Sequence, residues 1–352
     1  MKAAIWYGKE DIRYEDYPEP AISNDDQVKI RIKWCGICGT DVHEYRDGPF
    51  MIPNRPHPLT GHCGAPLILG HEYSGDVVEV GKGVTKVKVA DRVTVNPLIY
   101  CGECHYCRRG EHNMCLRLAT QGLAYDGAFA EYTVVDERMI VPLPNGMSYE
   151  VGAFSEPMAV AIRAVRRSRI TVGDSVAVVG AGPIGIMVSS VALACGAKEL
   201  FSIEPIESRR NLALRFGAKA VFNPLEQDVG KEIALLTDNL RCKIAFDCVG
   251  NQSSFDTAIK ATGRRGLIMM VGLALEPIEV PFSRLWGHEK ETSTSTGYCN
   301  EFPSAIGLML DKRVDVEAMV SAKIQLKDLV KKGIVELIRS PEDHCKILVT
   351  PE

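Results

Sequence analysis

The run SVAVVGAGPIGIMVSSVALACG at residues 175–196 constrains this chain more than any other, because it reads as a buried strand, a glycine turn and a helix in immediate succession. Gly180, Gly182 and Gly185 form G-x-G-x-x-G across that turn, and in a strand-to-helix setting the spacing predicts a dinucleotide site. Gly180 permits the tight turn, Gly182 lets backbone approach a pyrophosphate, and Gly185 lets the helix pack on the sheet. The helix N-terminus offers unpaired N–H groups and the positive end of its dipole to phosphates. Pro183 stands where its missing N–H costs little. The next strand, ELFSIEP, ends at Glu204, about twenty residues on, where a carboxylate accepts hydrogen bonds from the adenosine ribose hydroxyls. A carboxylate there repels a 2'-phosphate, so NAD is favoured over NADP. Arg210 reads as a solvated residue of the following helix, whereas Arg209, one turn beyond Glu204, is placed to face the adenosine. A swing of either arginine over the ribose would admit some NADP.

The same texture continues on both sides of the motif. From about residue 157 to 296, continuous apolar runs (SVAVVG, ELFSIEP, AVFN, KIAFDCVG, GLIMMVG) alternate with helical patterns. Such runs are expected of a parallel sheet covered on both faces, so this segment is predicted to be a doubly wound α/β domain. Residues 1–156 instead show short apolar stretches punctuated by Gly and Pro, such as VKIRIKW, EYSGDVVEVG and DRVTVNPL, which read as a mainly-β region. HPLTGHCGAPLILGHE forms a long loop within it, and loops of that length tend to be functional. Beyond residue 297 come two helix-like stretches, FPSAIGLMLDKR and LKDLVKKGIVELIRS, and a terminal strand, CKILVTP. This tail is expected to rejoin the first domain, giving 1–156 with 297–352 as one domain and 157–296 as the other. A length of 352 residues agrees with two domains rather than one.

Lys+Arg 41 against Asp+Glu 45 gives a net charge of -4, too small and too mixed to draw the chain to nucleic acid or an anionic membrane. A small-molecule partner is expected instead. The start, MKAAIWYGKEDIRYED, turns charged after a few apolar residues and has no signal-peptide core, so a cytoplasmic protein is expected. Twelve cysteines in that setting argue for metal ligation or buried thiols rather than disulfides. Cys195, Cys242, Cys248, Cys299 and Cys345 are scattered through apolar contexts and read as core residues.

Cys101, Cys104, Cys107 and Cys115 are different, for they make C-x2-C-x2-C-x7-C in a single loop. Four thiolates at this spacing surround one tetrahedral zinc and leave no position for substrate, which makes a structural site. An iron–sulfur cluster is the weaker reading, because nothing else in the chain suggests electron transfer. A second constellation comprises Cys38 in CGICGTDVH, His71 and Glu72 in LGHEYSG, and Glu156 in FSEPMAV. Together they supply sulfur, imidazole and carboxylate for a zinc that keeps one open position.

The motifs CGICGTDVH, GHEYSGDVVEVG, the four-cysteine loop and VAVVGAGPIG, in this order and at these spacings, resemble the zinc-containing medium-chain alcohol dehydrogenases over essentially the whole chain. A carboxylate, Glu156, stands where many of those enzymes carry a second cysteine, a departure that resembles the polyol and butanediol branch. PHPLTG, EPIESRR and SEPMAVA look more like its (R,R)-2,3-butanediol dehydrogenase group than like sorbitol or threonine dehydrogenases. The resemblance implies a GroES-like catalytic domain, a Rossmann domain and NAD-linked alcohol oxidation. It also implies two zinc ions per subunit, one catalytic and one structural, and a homodimer or homotetramer paired through the edge of the Rossmann sheet. It makes Cys38, His71 and Glu156 the catalytic zinc ligands, with Glu72 entering in some states. It further places Ile184 at the pyrophosphate turn, Arg209 near the adenosine, and Val271 to Leu273 near the nicotinamide.

Zinc in such a site acts as a Lewis acid on a small secondary alcohol or vicinal diol, 2,3-butanediol before others. The released proton needs a path. Thr40 has the hydroxyl for a first relay step and His43 an imidazole for a second, although Thr40 also reads as a plain helix N-cap. Two alternatives stand beside this reading. One is a sorbitol- or xylitol-type polyol dehydrogenase; the other is a non-catalytic, NAD-binding zinc redox sensor, which has no need of an open zinc site.

Overall fold

The computed structural model describes all 352 residues, and the chain divides into two compact units. The first comprises Met1–Glu156, Ala305–Leu310 and Asp315–Glu352; the second comprises Pro157–Ser304 and Asp311–Val314. Residues 297–304 therefore pack with the second unit, not with the first as the change of texture at 297 suggested. No helix is long and apolar enough to cross a membrane.

In the first unit the strand Gln27–Gly36 alternates, with Val28, Ile30 and Ile32 completely buried and Arg31 exposed, as a pleated strand with one face on a core must. It is the hub of a seven-stranded sheet, pairing antiparallel with Glu72–Val80, Tyr132–Asp136 and the C-terminal strand Lys346–Thr350. Ile5, Trp6, Leu67, Tyr73, Phe129 and Ile347 join its inward face in one core. The stretch LKDLVKKGIVELIRS is not one helix. It runs as a 3-10 turn at Leu326–Asp328, a π-type turn at Leu329–Ile334 and a short α-helix at Val335–Arg339.

The second unit carries a six-stranded, all-parallel sheet. Its order is Ala220–Phe222, Glu199–Ile203, Ser175–Val179, Cys242–Asp247, Thr262–Met270 and Glu291–Thr294. Chain order reverses beside Ser175–Val179, which is the doubly wound arrangement whose switch point accepts a dinucleotide. Val176 to Val179 are buried on both faces, as the unbroken apolar run demands.

Of the five scattered cysteines only Cys242 is buried; Cys248, Cys299 and Cys345 are partly exposed and Cys195 is exposed. Small size lets a cysteine sit at element ends as readily as in a core, so an apolar neighbourhood in sequence did not decide burial.

Candidate active site and metal centres

Register brings the first group of ligands together. Gly36 pairs with Glu72 across the antiparallel strands, so Cys38, two residues past one strand end, and His71, one residue before the other strand begins, emerge at the same corner. The ligand atoms of Cys38, His71 and Glu72 lie within 4.8 Å of one another. Cys38 is the residue that precedes the helix Gly39–Arg46. Thr40 is the second residue of that helix and not its cap, which removes the N-cap reading; its Oγ1 is 3.6 Å from the Cys38 sulfur. His43, half-buried on the same helix, is 3.3 Å from an Arg46 nitrogen, and burial first, then the Arg46 charge, lowers its pKa.

Two buried residues outside the expected ligand set hold this corner. Asp41 accepts the Cys38 N–H at 2.9 Å and lies 3.7 Å from His71 Nδ1. Lys346, from the last strand, donates to the Ile37 carbonyl at 3.0 Å and forms a buried ion pair with Glu72. Burial lowers the Lys346 pKa, yet the charges of Glu72, Cys38 and Glu156 outweigh it and leave it raised. His71 behaves alike: desolvation favours its neutral form, and Cys38, Asp41 and Glu156 together raise it well above the ordinary histidine range. The sulfur of Cys38, the imidazole of His71 and the carboxylate of Glu72 are donors that fit a divalent zinc. Glu156 lies in the first turn of the helix Ser155–Arg167, 7 % exposed and near enough to act on His71, but outside the tight group of Cys38, His71 and Glu72. Asp41 had a sequence signal, a carboxylate three residues after a helix-capping position; Lys346 had none, being 274 residues from Glu72.

The four-cysteine loop closes on itself. The sulfurs of Cys101, Cys104, Cys107 and Cys115 lie within 4.8 Å of one another, and those of Cys101 and Cys107 are 3.9 Å apart. A tetrahedral zinc about 2.3 Å from each sulfur requires sulfurs about 3.8 Å apart, so the cage has the size of the ion. Backbone N–H groups of Cys101 and Arg117 point at the Cys115 sulfur, and that of Cys104 at the Cys101 sulfur. Burial pushes the Cys101 thiol up, but the N–H groups of Glu103 and Cys104 overcome it and bring the pKa to about 6. Burial and the neighbouring sulfurs push Cys107 to about 12. Four adjacent thiols cannot all ionise without a cation, and zinc supplies one.

At the nucleotide turn each glycine has a separate cause. Gly180 has φ 92°, a left-handed conformation. A Cβ on Gly185 would stand 1.8 Å from the Gly180 carbonyl oxygen, whereas one on Gly182 would meet nothing within 4 Å. Gly182 precedes the helix Pro183–Ala194 and its absent side chain leaves room for a ligand. Glu204, 4 % exposed, accepts N–H bonds from Ala181 at 2.8 Å and Ile206 at 3.0 Å. It thus stitches the glycine turn to the neighbouring strand, and a carboxylate's remaining lone pairs are still free for hydroxyl donors. Arg210 is not simply solvated, since it donates to the carbonyls of Glu204 and Pro205. Ile184, in the first turn of the helix Pro183–Ala194, and Arg209, in the helix Glu207–Arg215, are partly exposed. Val271 and Gly272 follow the strand Thr262–Met270 and donate to the Asp247 carbonyl at 2.8 and 2.9 Å; Leu273 is exposed.

A nucleotide turn, a closed four-sulfur cage and an open Cys/His/Glu corner in one chain define a zinc- and nucleotide-dependent dehydrogenase. Residues 24–145 match the family model of the alcohol dehydrogenase GroES-like domain, and residues 183–311 that of the zinc-binding dehydrogenases. The chain belongs to the zinc-type medium-chain alcohol dehydrogenases, in the (R,R)-butanediol dehydrogenase branch, and is an NAD-dependent oxidoreductase of small alcohols. It is 40% identical to (R,R)-butanediol dehydrogenase of Bacillus subtilis (strain 168) over 100% of both chains. It is 32% identical to sorbitol dehydrogenase of the same organism, over 100% of this chain and 97% of that one. The crystal structure of 2R,3R-butanediol dehydrogenase from Bacillus subtilis superposes with a TM-score of 0.93 at 39% identity, covering 100% of this chain and 99% of that one.

Proposed function

We propose that the chain interconverts a vicinal diol and its hydroxyketone, with (R,R)-2,3-butanediol as the preferred substrate. The observation that carries this is the full-length 40% identity to an (R,R)-butanediol dehydrogenase, joined to a corner whose donor set is sulfur, imidazole and carboxylate. When bound, zinc supplies Lewis acidity toward a hydroxyl and NAD accepts the hydride. In this reading Cys38, His71 and Glu156 hold the metal, and Lys346 keeps Glu72 engaged as its ion-pair partner. Asp41 orients His71, and Thr40 with His43 moves the proton outward. Gly182 and Ile184 face the pyrophosphate at a turn that Gly180 and Gly185 shape, Glu204 and Arg209 take the adenosine, and Val271 and Leu273 flank the nicotinamide.

On the same reading, residues 1–156 with the end of the chain form the catalytic domain and the parallel sheet binds the nucleotide. Two copies pair along the edge strand Glu291–Thr294, which is largely exposed beside Phe282 and Trp286, 72% and 76% exposed. A reducing compartment, the cytoplasm, suits a cage that needs four thiolates.

The test is NADH formation with (R,R)-, (S,S)- and meso-2,3-butanediol, sorbitol, xylitol and threonine, each with and without a zinc chelator. Chelator-sensitive turnover highest on (R,R)-butanediol is expected; higher kcat/KM on sorbitol would move the substrate to the polyols and leave the chemistry in place.

A further inference from the structure

The end of the parallel sheet opposite the glycine turn carries a cavity of about 480 Å³ that the dehydrogenase reaction does not use. It opens where the strands beginning at Ser175, Cys242 and Thr262 start, whereas the glycine turn follows the other end of the first of these. The cavity is walled by four cationic side chains, Arg241, Lys243, Arg264 and Lys290, together with His288, against the single carboxylate of Asp174.

The local hydrogen bonds do not neutralise that charge. Asp174 spends one oxygen on the N–H and hydroxyl of Thr171. Lys243 donates to the Arg265 carbonyl at 2.7 Å. Lys290 donates to the carbonyls of Ile259 and Thr262 at 2.6 and 2.7 Å, which closes the end of the helix Gln252–Ala261 and leaves one of its three N–H groups over. The guanidinium groups of Arg241 and Arg264 have neither an ion pair nor a hydrogen bond. Burial first, and then the charge of Arg241, lowers the Lys290 pKa to about 8. Arg241 is also held at φ 61°, a conformation a long side chain rarely adopts, in a loop where Asp238 and Asn239 are likewise left-handed at 49° and 63°.

We propose that this cavity binds a small polyvalent oxyanion, a phosphorylated or multiply carboxylated metabolite, with Arg241 and Arg264 as its principal partners. Planar guanidinium groups match the paired oxygens of phosphate and carboxylate alike, and the volume accommodates a ligand of several carbon atoms beyond one such group. Because the cavity lies at the far end of the strands, its occupant does not compete with the dinucleotide.

The experiment follows the thermal unfolding of NADH-saturated holoenzyme, whose glycine turn is filled, against inorganic phosphate and against succinate, with potassium chloride at matched ionic strength. A saturable rise in Tm with phosphate or succinate but not chloride is expected, and the more effective anion tells a phosphorylated ligand from a carboxylated one. In the double variant Arg241→Gln/Arg264→Gln the half-saturating concentration should rise by about tenfold or more, with NADH affinity and kcat unchanged. Arg264→Gln alone, altering an exposed side chain, should weaken the anion by about threefold or more and keeps the test open if Arg241→Gln does not fold. A rise matched by chloride, or one that persists unaltered in both variants, would overturn the proposal.

Discussion

Lys346 shows how much one side chain can carry without any signature in its neighbourhood. It is buried, with 3% of its side chain exposed, and its ammonium is the partner of an equally buried Glu72. Removing one member of such a pair strands the other charge, so Lys346→Met is expected to destabilise the chain by about 3–5 kcal/mol. Adding Glu72→Gln should recover part of that loss in urea unfolding; no recovery would mean that the ammonium acts through the Ile37 carbonyl alone. His43 belongs to the same scale. Its pKa is lowered, so the imidazole stays neutral and able to accept a proton to more acidic pH than an exposed histidine at about 6.5. The acid limb of kcat/KM should therefore fall below that value and shift or vanish in His43→Gln, while an unmoved limb would take His43 out of the relay.

The strand–turn–helix element separates two uses of glycine that the motif writes identically. Gly185 answers to packing, since a Cβ there meets the Gly180 carbonyl, whereas packing asks nothing of Gly182, since a Cβ there would meet nothing within 4 Å. Gly185→Ala is expected to lower stability by about 1–3 kcal/mol, as overpacking does. Gly182→Val should leave Tm unchanged in the absence of nucleotide and weaken NADH binding by about tenfold or more, read by fluorescence titration. Equal stability losses in both variants would show that Gly182 too is structural. The strand pair Gln27–Gly36 and Glu72–Val80 is the other decisive element, because its register sets Cys38 beside His71. A slip of one residue would turn every side chain of one strand to the opposite face and dissolve the corner.

For the molecule as a whole, the four-cysteine cage is a stabilising device that stands apart from the chemistry. Cys104→Ser is expected to lower Tm by about 5 °C or more while zinc remains at the Cys38 corner. Metal analysis should then find one zinc in place of two, and an unchanged Tm would refute the structural role. Association is testable at the same scale: Trp286→Glu, on the exposed flank of the edge strand, should shift light-scattering mass toward the monomer.

Legible from the chain alone were the features written in fixed spacing or in unbroken apolar runs, though not every helical period, since LKDLVKKGIVELIRS breaks into three pieces. The parallel-sheet domain follows from unbroken apolar strands, the nucleotide turn from three glycines between strand and helix, and the cage from four cysteines in one loop. The turn and the cage are short-range patterns whose atoms are neighbours because the residues are neighbours, and each apolar strand is a local pattern although its pairing is not. Tertiary structure decided what depends on contacts between distant segments. Among these are the ion pair across 274 residues that occupies Glu72, the placing of Glu156 outside the tight ligand group, and the second duty of Glu204 at the glycine turn. The burial of only one of five scattered cysteines belongs here too, as does the cationic cavity at the far end of the sheet. Long-range pairs leave no periodic trace, because nothing in the backbone geometry of either segment requires the other's side chain until the sheets have closed.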